Sequence, residues 1–157
     1  AQEIRAAHPD AEVSVGELDL SDVNWEKRSY NTRTAYGDSK LANLYFTYEL
    51  ARRVRSEGAG PHAIAAHPGW TSTDLQRHSR LARLGNVFLA QGADMGALPT
   101  LRAAFDELAQ PGDFFGPGGL MSMRGHPVAQ DSNDRSHDAQ MAEQLWEVSE
   151  DLTAVSY

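Results

Sequence analysis

The stretch AYGDSKLANLYFTYEL, residues 35–50, decides how this chain is read. Tyr36 and Lys40 stand four residues apart, and residues i and i+4 share one face of an α-helix. At about 100° per residue, Tyr36, Lys40, Asn43 and Thr47 make one narrow polar stripe. Leu41, Leu44, Tyr45 and Tyr48 lie on one flank of it, and Phe46 and Leu50 on the other. A helix apolar on both flanks is expected to pack on two sides, against a sheet and a neighbouring subunit. A positive charge beside a phenol favours the phenolate, so a tyrosine so placed can exchange a proton with a substrate oxygen. The ordinary alternative is a packed tyrosine with a lysine lying along the helix. Y-x-x-x-K arises by chance in about one chain of this length in four, so its surroundings carry the weight.

Composition narrows the classes. With 157 residues, 41% hydrophobic and 23% charged, the chain suits a single domain with one core. It has no cysteine, which excludes disulfides and thiolate metal sites. The six histidines, at positions 8, 62, 67, 78, 126 and 137, show no HExxH or comparable spacing, so no catalytic metal is expected. A net charge of −8 repels phosphate backbones and argues against nucleic acid as a partner. No run approaches the ~20 apolar residues of a membrane span, and no signal-peptide pattern opens the chain; the expected location is the cytoplasm.

Working outward, the helix is expected over residues 35–56. Thr34 would cap it, Asp38 would meet its positive end, Arg52, Arg53 and Arg55 would suit its negative end, and Gly58 would close it. Upstream, residues 12–20, EVSVGELDL, read as a strand with Asp19 at its C-terminal end, where ligands bind in open α/β sheets. Asp19 reads equally well as a plain turn residue before Ser21 and Asp22. Residues 24–34 form a polar loop. The chain opens at Ala1 inside the last turns of an expected helix, ended by Pro9, so more sequence is expected before it.

Downstream, residues 62–67, HAIAAH, are a buried parallel strand closed by Pro68 and Gly69. A loop and a short helix over residues 70–91, rich in Leu81, Leu84, Val87, Phe88 and Leu89, either line a substrate site or pack on the body. A helix is expected over 94–108, apolar at Met95, Leu98, Leu101, Ala104, Phe105 and Leu108, with Pro99 near its first turn. Residues 116–123, GPGGLMSM, approach a last strand, 131–135 form a polar loop, and a closing helix spans 138–152. Helices alternating with short apolar strands predict a parallel α/β sheet.

The segments AYGDSKLANLYF (35–46), AAHPGWTSTDL (65–75), LWEVSEDLT (145–153), LDLSD (18–22) and NWEKRSY (24–30) together resemble a short-chain dehydrogenase/reductase. They are closest to its retinol-dehydrogenase-like and WW-domain-oxidoreductase-like branch, from the C-terminal half plus a piece around the third strand. The resemblance implies a Rossmann-type parallel sheet with flanking helices, and an oxidoreductase moving a hydride between NAD or NADP and a lipophilic carbonyl or alcohol. It implies Tyr36 as catalytic acid/base and Lys40 as its assistant and a ribose ligand. Pro68 and Gly69 would line the nicotinamide, Thr73 would contact the cofactor amide or phosphates, and Asp19 would meet the adenine. It also implies a homodimer through helix 35–56.

Parts of the family pattern are missing. No glycine-rich phosphate turn is present: Gly58-Ala59-Gly60 and Gly116–Gly119 do not follow a strand and open a helix. The family's Asn-Ala-Gly strand end and catalytic serine are absent as well, so the first βαβ unit and the central strands lie outside this sequence. Only 16 residues separate Asp19 from Tyr36, far fewer than in the family, and a discontinuity is expected within residues 20–24. The residues belong either to a longer enzyme or to an inactive fragment that serves as a binding or structural subunit.

Overall fold

The computed structural model describes residues 18–57, 60–70 and 91–156. Their contacts form two compact units, one from the described residues up to 63 with those from 132 onward, the other from those between 64 and 131.

The first unit is helical. Its long helix α1 spans Thr32–Glu57, starting three residues before the expected position. The cap explains the shift. The Asn31 side-chain oxygen accepts the N–H groups of Arg33 (3.0 Å) and Thr34 (3.1 Å), while Thr34, the expected cap, donates its own hydroxyl to that oxygen (3.3 Å). Gly58 lies outside the described residues. The closing helix α3, Ala139–Thr153, starts one residue after its expected position, because Asp138 is its cap, the carboxylate accepting from the N–H groups of Gln140 and Met141. Between them Asp134–His137 makes a 3₁₀ turn where a plain loop was expected, because Asn133 caps it and Ser136 is fully buried.

One flank of α1 makes the core: Leu41 and Tyr45 pack with Leu18, Ala142 and Leu145. Burying side chains of this size contributes about 1.5–3 kcal/mol each. The other flank is only part-covered. Phe46 stacks on Trp146 at 5.1 Å and remains 46% exposed. Beneath them Glu49 is buried with both oxygens bonded to Arg52 (2.6 and 2.8 Å), one of them also to Arg53 (2.6 Å). The Arg53 guanidinium lies 4.6 Å from the Trp146 ring centre.

The second unit is a three-stranded sheet with one helix. Strand β1 (Ala65–Ala66) pairs in parallel with β2 (Phe114–Pro117), which pairs antiparallel with β3 (Pro127–Ala129). The fold is therefore α/β, with a small mixed sheet where an all-parallel one was expected. The β2 strand takes in the first glycine of residues 116–123, Gly116, and Gly118 and Gly119 start the turn to β3 by donating to the carbonyls of His126 and Arg124. β3 is the last strand that residues 116–123 were expected to approach, three residues long and opening with a proline, whereas β2 was not expected.

Helix α2, Ala93–Phe105, ends three residues short of its predicted end, where Asp106 takes an extended conformation. It packs on the sheet unit through Gly96 and Pro99, and Pro99 is fully buried in the helix interior rather than in the first turn. Leu101, Phe105 and Leu108, expected in the core, are 49%, 78% and 84% exposed. The predicted strand over 12–20 and helix over 81–90 fall mostly or wholly outside the described residues. Of the former, Leu18 and Asp19 make no ladder, and Leu20 begins a turn.

Candidate active site

Tyr36 and Lys40 stand on the solvent side of α1, one turn apart as the spacing predicts. The phenol is 54% exposed, and the Lys40 ammonium lies 5.3 Å from its ring centre. Ser39 and Thr47 return their hydroxyls to the backbone carbonyls of Tyr36 and Asn43, at 2.7 and 2.8 Å.

The segment before α1 is a charge-organised loop. Asp19 sits in a turn, its carboxylate accepting from the Ser21 hydroxyl (2.7 Å) and N–H (2.9 Å). Those bonds, the hydroxyl's first, hold its carboxyl below the usual range, with Arg28 and Lys27 adding to them against the opposition of burial. Asp22 does more than turn the chain. It is buried, and although burial works against its charge, the N–H groups of Glu26 (2.7 Å), Lys27 (3.2 Å) and Arg28 (3.1 Å) outweigh it and lower its pKa. Residues 19–25 thereby fold as consecutive turns, Asp22 donating to Asp19 O and Trp25 to Asp22 O.

Arg28 ties this loop to α1. Its guanidinium lies 3.7 Å from the Trp25 ring centre and 3.5 Å from the Asp38 carboxylate. Asp38 is not the dipole partner expected. It is 3% exposed, and burial raises its pKa despite Arg28. Its second oxygen and the Arg28 Nε have no hydrogen-bond partner among the described residues, although that Nε pairs with the Asp22 carboxylate at 3.6 Å. No sequence signal distinguished Asp22 or Asp38 from the many acidic residues of loops and helix starts.

Pro68 and Gly69 belong to the sheet unit, directly after β1. Gly69 has φ +65°, and a Cβ there would meet the Met123 carbonyl at 2.5 Å and Pro117 Cγ at 2.6 Å. Only glycine fits both the conformation and the space. Thr73 lies outside the described residues. Each unit thus presents its own feature: an exposed ammonium on a helix face in the helical unit, and in the sheet unit a tight bend at Gly69 packed against Met123 O and Pro117. No phosphate-binding glycine turn stands among the described residues.

No protein-family model matches the chain. A solved structure of an uncharacterised protein from Mycobacterium paratuberculosis superposes with a TM-score of 0.73 at 37% identity, covering 93% of this chain and 48% of that one. The fold and these segments are those of a short-chain dehydrogenase/reductase. Retinol dehydrogenase 13 of Homo sapiens is 37% identical over 142 residues, 83% of this chain and 40% of its own length. Retinol dehydrogenase 12 of Mus musculus is 34% identical over 149 residues, 91% of this chain and 43% of its own. The chain belongs to the retinol-dehydrogenase-like branch of that superfamily, and it spans about two fifths of the length of these relatives.

Proposed function

We propose that this chain is the catalytic and substrate-side portion of an NAD- or NADP-dependent oxidoreductase acting on a lipophilic, retinoid-like aldehyde or alcohol. The observation that supports it best is the exposed Tyr36 phenol with the Lys40 ammonium 5.3 Å from its ring centre, in a sequence of the retinol-dehydrogenase-like branch. In reduction, Tyr36 gives its proton to the carbonyl oxygen; in oxidation, the phenolate takes the alcohol proton. Lys40 favours that phenolate by its charge and hydrogen-bonds the cofactor ribose. A bound nicotinamide supplies or accepts the hydride. Pro68 and Gly69 line it, Thr73 contacts its amide or phosphates, and Asp19 meets the adenine. Pairing of two copies through α1 and a cytoplasmic location belong to the same proposal.

The test is titration of the protein with NADH and NADPH, followed by turnover of all-trans-retinal and shorter aldehydes. Cofactor binding with aldehyde reduction that is lost in Tyr36→Phe supports the reading. Retained turnover in that variant sinks the acid/base role, and no cofactor binding at all leaves a binding or structural subunit.

A further inference from the structure

The bend at residues 67–70 is held by two side chains that are distant in sequence. Gln130 uses its amide nitrogen twice, donating to Pro117 O (2.8 Å) and Ser122 Oγ (3.1 Å). Its oxygen is left to meet His67 Nε2 at 3.0 Å. The other imidazole nitrogen, Nδ1, accepts the Gly69 N–H at 3.3 Å and therefore carries no proton. His67 Nε2–H is thus the donor to Gln130, and the tautomer and the amide orientation follow from one another. Gly116 leaves room for that ring, since a Cβ there would collide with His67 Nε2.

Gln91 secures the next two residues. It is 8% exposed, its amide nitrogen donates to Pro68 O (2.9 Å), and its oxygen accepts the Gly125 N–H (2.9 Å). Its own backbone N–H donates to Trp70 O (2.9 Å), while the Trp70 N–H donates to Met123 O (2.7 Å). Each of the four residues of the bend is therefore fixed by at least one of these bonds.

We infer that Gln91 and Gln130 are positioning residues that set the 67–70 bend in the shape a nicotinamide cofactor meets, which rests on the cofactor reading above. They act through Pro68 and Gly69, and their effect belongs to the nicotinamide end of the ligand. The variants Gln91→Met and Gln130→Met keep side-chain volume and remove the amides. In each, amide exchange at Gly69 and Trp70 speeds up about tenfold while α2 keeps its protection. Affinity for NADH or NADPH falls about tenfold, whereas the matching ADP-ribose, which lacks the nicotinamide, binds as before.

Unchanged exchange at Gly69 and Trp70 in both Met variants overturns the inference, as does equal weakening of both ligands. Wild-type protein that binds neither NADH nor NADPH marks failure of the cofactor reading instead. The exchange rates then decide by themselves whether the glutamines hold the bend.

Discussion

In the helical unit that carries Tyr36 and Lys40 the buried polar groups include ionisable side chains: Asp22 in its ring of N–H groups, Asp38 against Arg28, and Glu49 between two arginines. Around Pro68 and Gly69 they are the amides of buried Gln91 and half-buried Gln130, beside the half-buried His67 imidazole. An ion pair of the sheet unit, Arg102 with Asp106, lies on and just beyond α2, and Arg102 also reaches the ring of Phe115. The difference fits the task proposed for each region. Groups that favour or exchange a proton work in a field of fixed charges, while a bend that only receives a flat ring needs rigidity and no charge.

The largest effect expected is on chemistry. Tyr36→Phe should lower kcat by about 10²–10⁴, the usual worth of a positioned acid/base, with cofactor Kd within about twofold of wild type. Gly69→Ala should give the opposite signature. A Cβ forced against Met123 O at positive φ costs about 2–4 kcal/mol. Urea unfolding of the sheet unit and a raised cofactor Kd would show it. Glu49→Gln sharpens the other side: it should cost the helical unit about 1–3 kcal/mol by the midpoint of urea unfolding, because Arg53 keeps its burial and loses its charge partner.

Acid should separate the two regions further. Hydrogen bonds from Arg52, reinforced by Arg53, hold the Glu49 carboxyl below its ordinary value, so its stabilisation is complete above the unfolded carboxylate range and is lost as pH falls through the lower folded value. Asp22 behaves in the same way. Asp38 has the opposite sign: burial raises its pKa, so protonating it relieves a cost as the pH falls. Amide exchange across α1 should hold or rise slightly in protection as Asp38 protonates, then fall below about pH 4, with Gly69 and Trp70 changing less. Parallel loss at both regions would break the contrast. Asn31→Ala, which removes only the α1 cap, should cost about 1 kcal/mol by the same urea midpoint.

The helices were legible because their signals are local. The stripe from Tyr36 to Thr47 and the apolar spacing of the closing helix need no more than a few turns of sequence to be seen. The start of α1 was misjudged because Asn31 and Thr34 are both good caps, and only the folded chain chooses between them. Pro99 sits inside α2 because a buried close approach outweighs a lost backbone bond, a tertiary effect that helix rules do not contain. β2 went unseen because four residues, two of them a glycine and a proline, carry no strand pattern of their own. His67 and Gln130 lie 63 positions apart, and no pattern near either of them announces the other.

The third strand also determines what the sheet can join. Pro127 faces Pro117 in the register, so position 127 has no N–H to offer. Its carbonyl is already engaged by Arg102 Nη1 at 2.7 Å. An extended peptide arriving from outside finds neither donor nor free acceptor there, and strand-by-strand growth into an aggregate is blunted at that residue by one imino acid and one guanidinium.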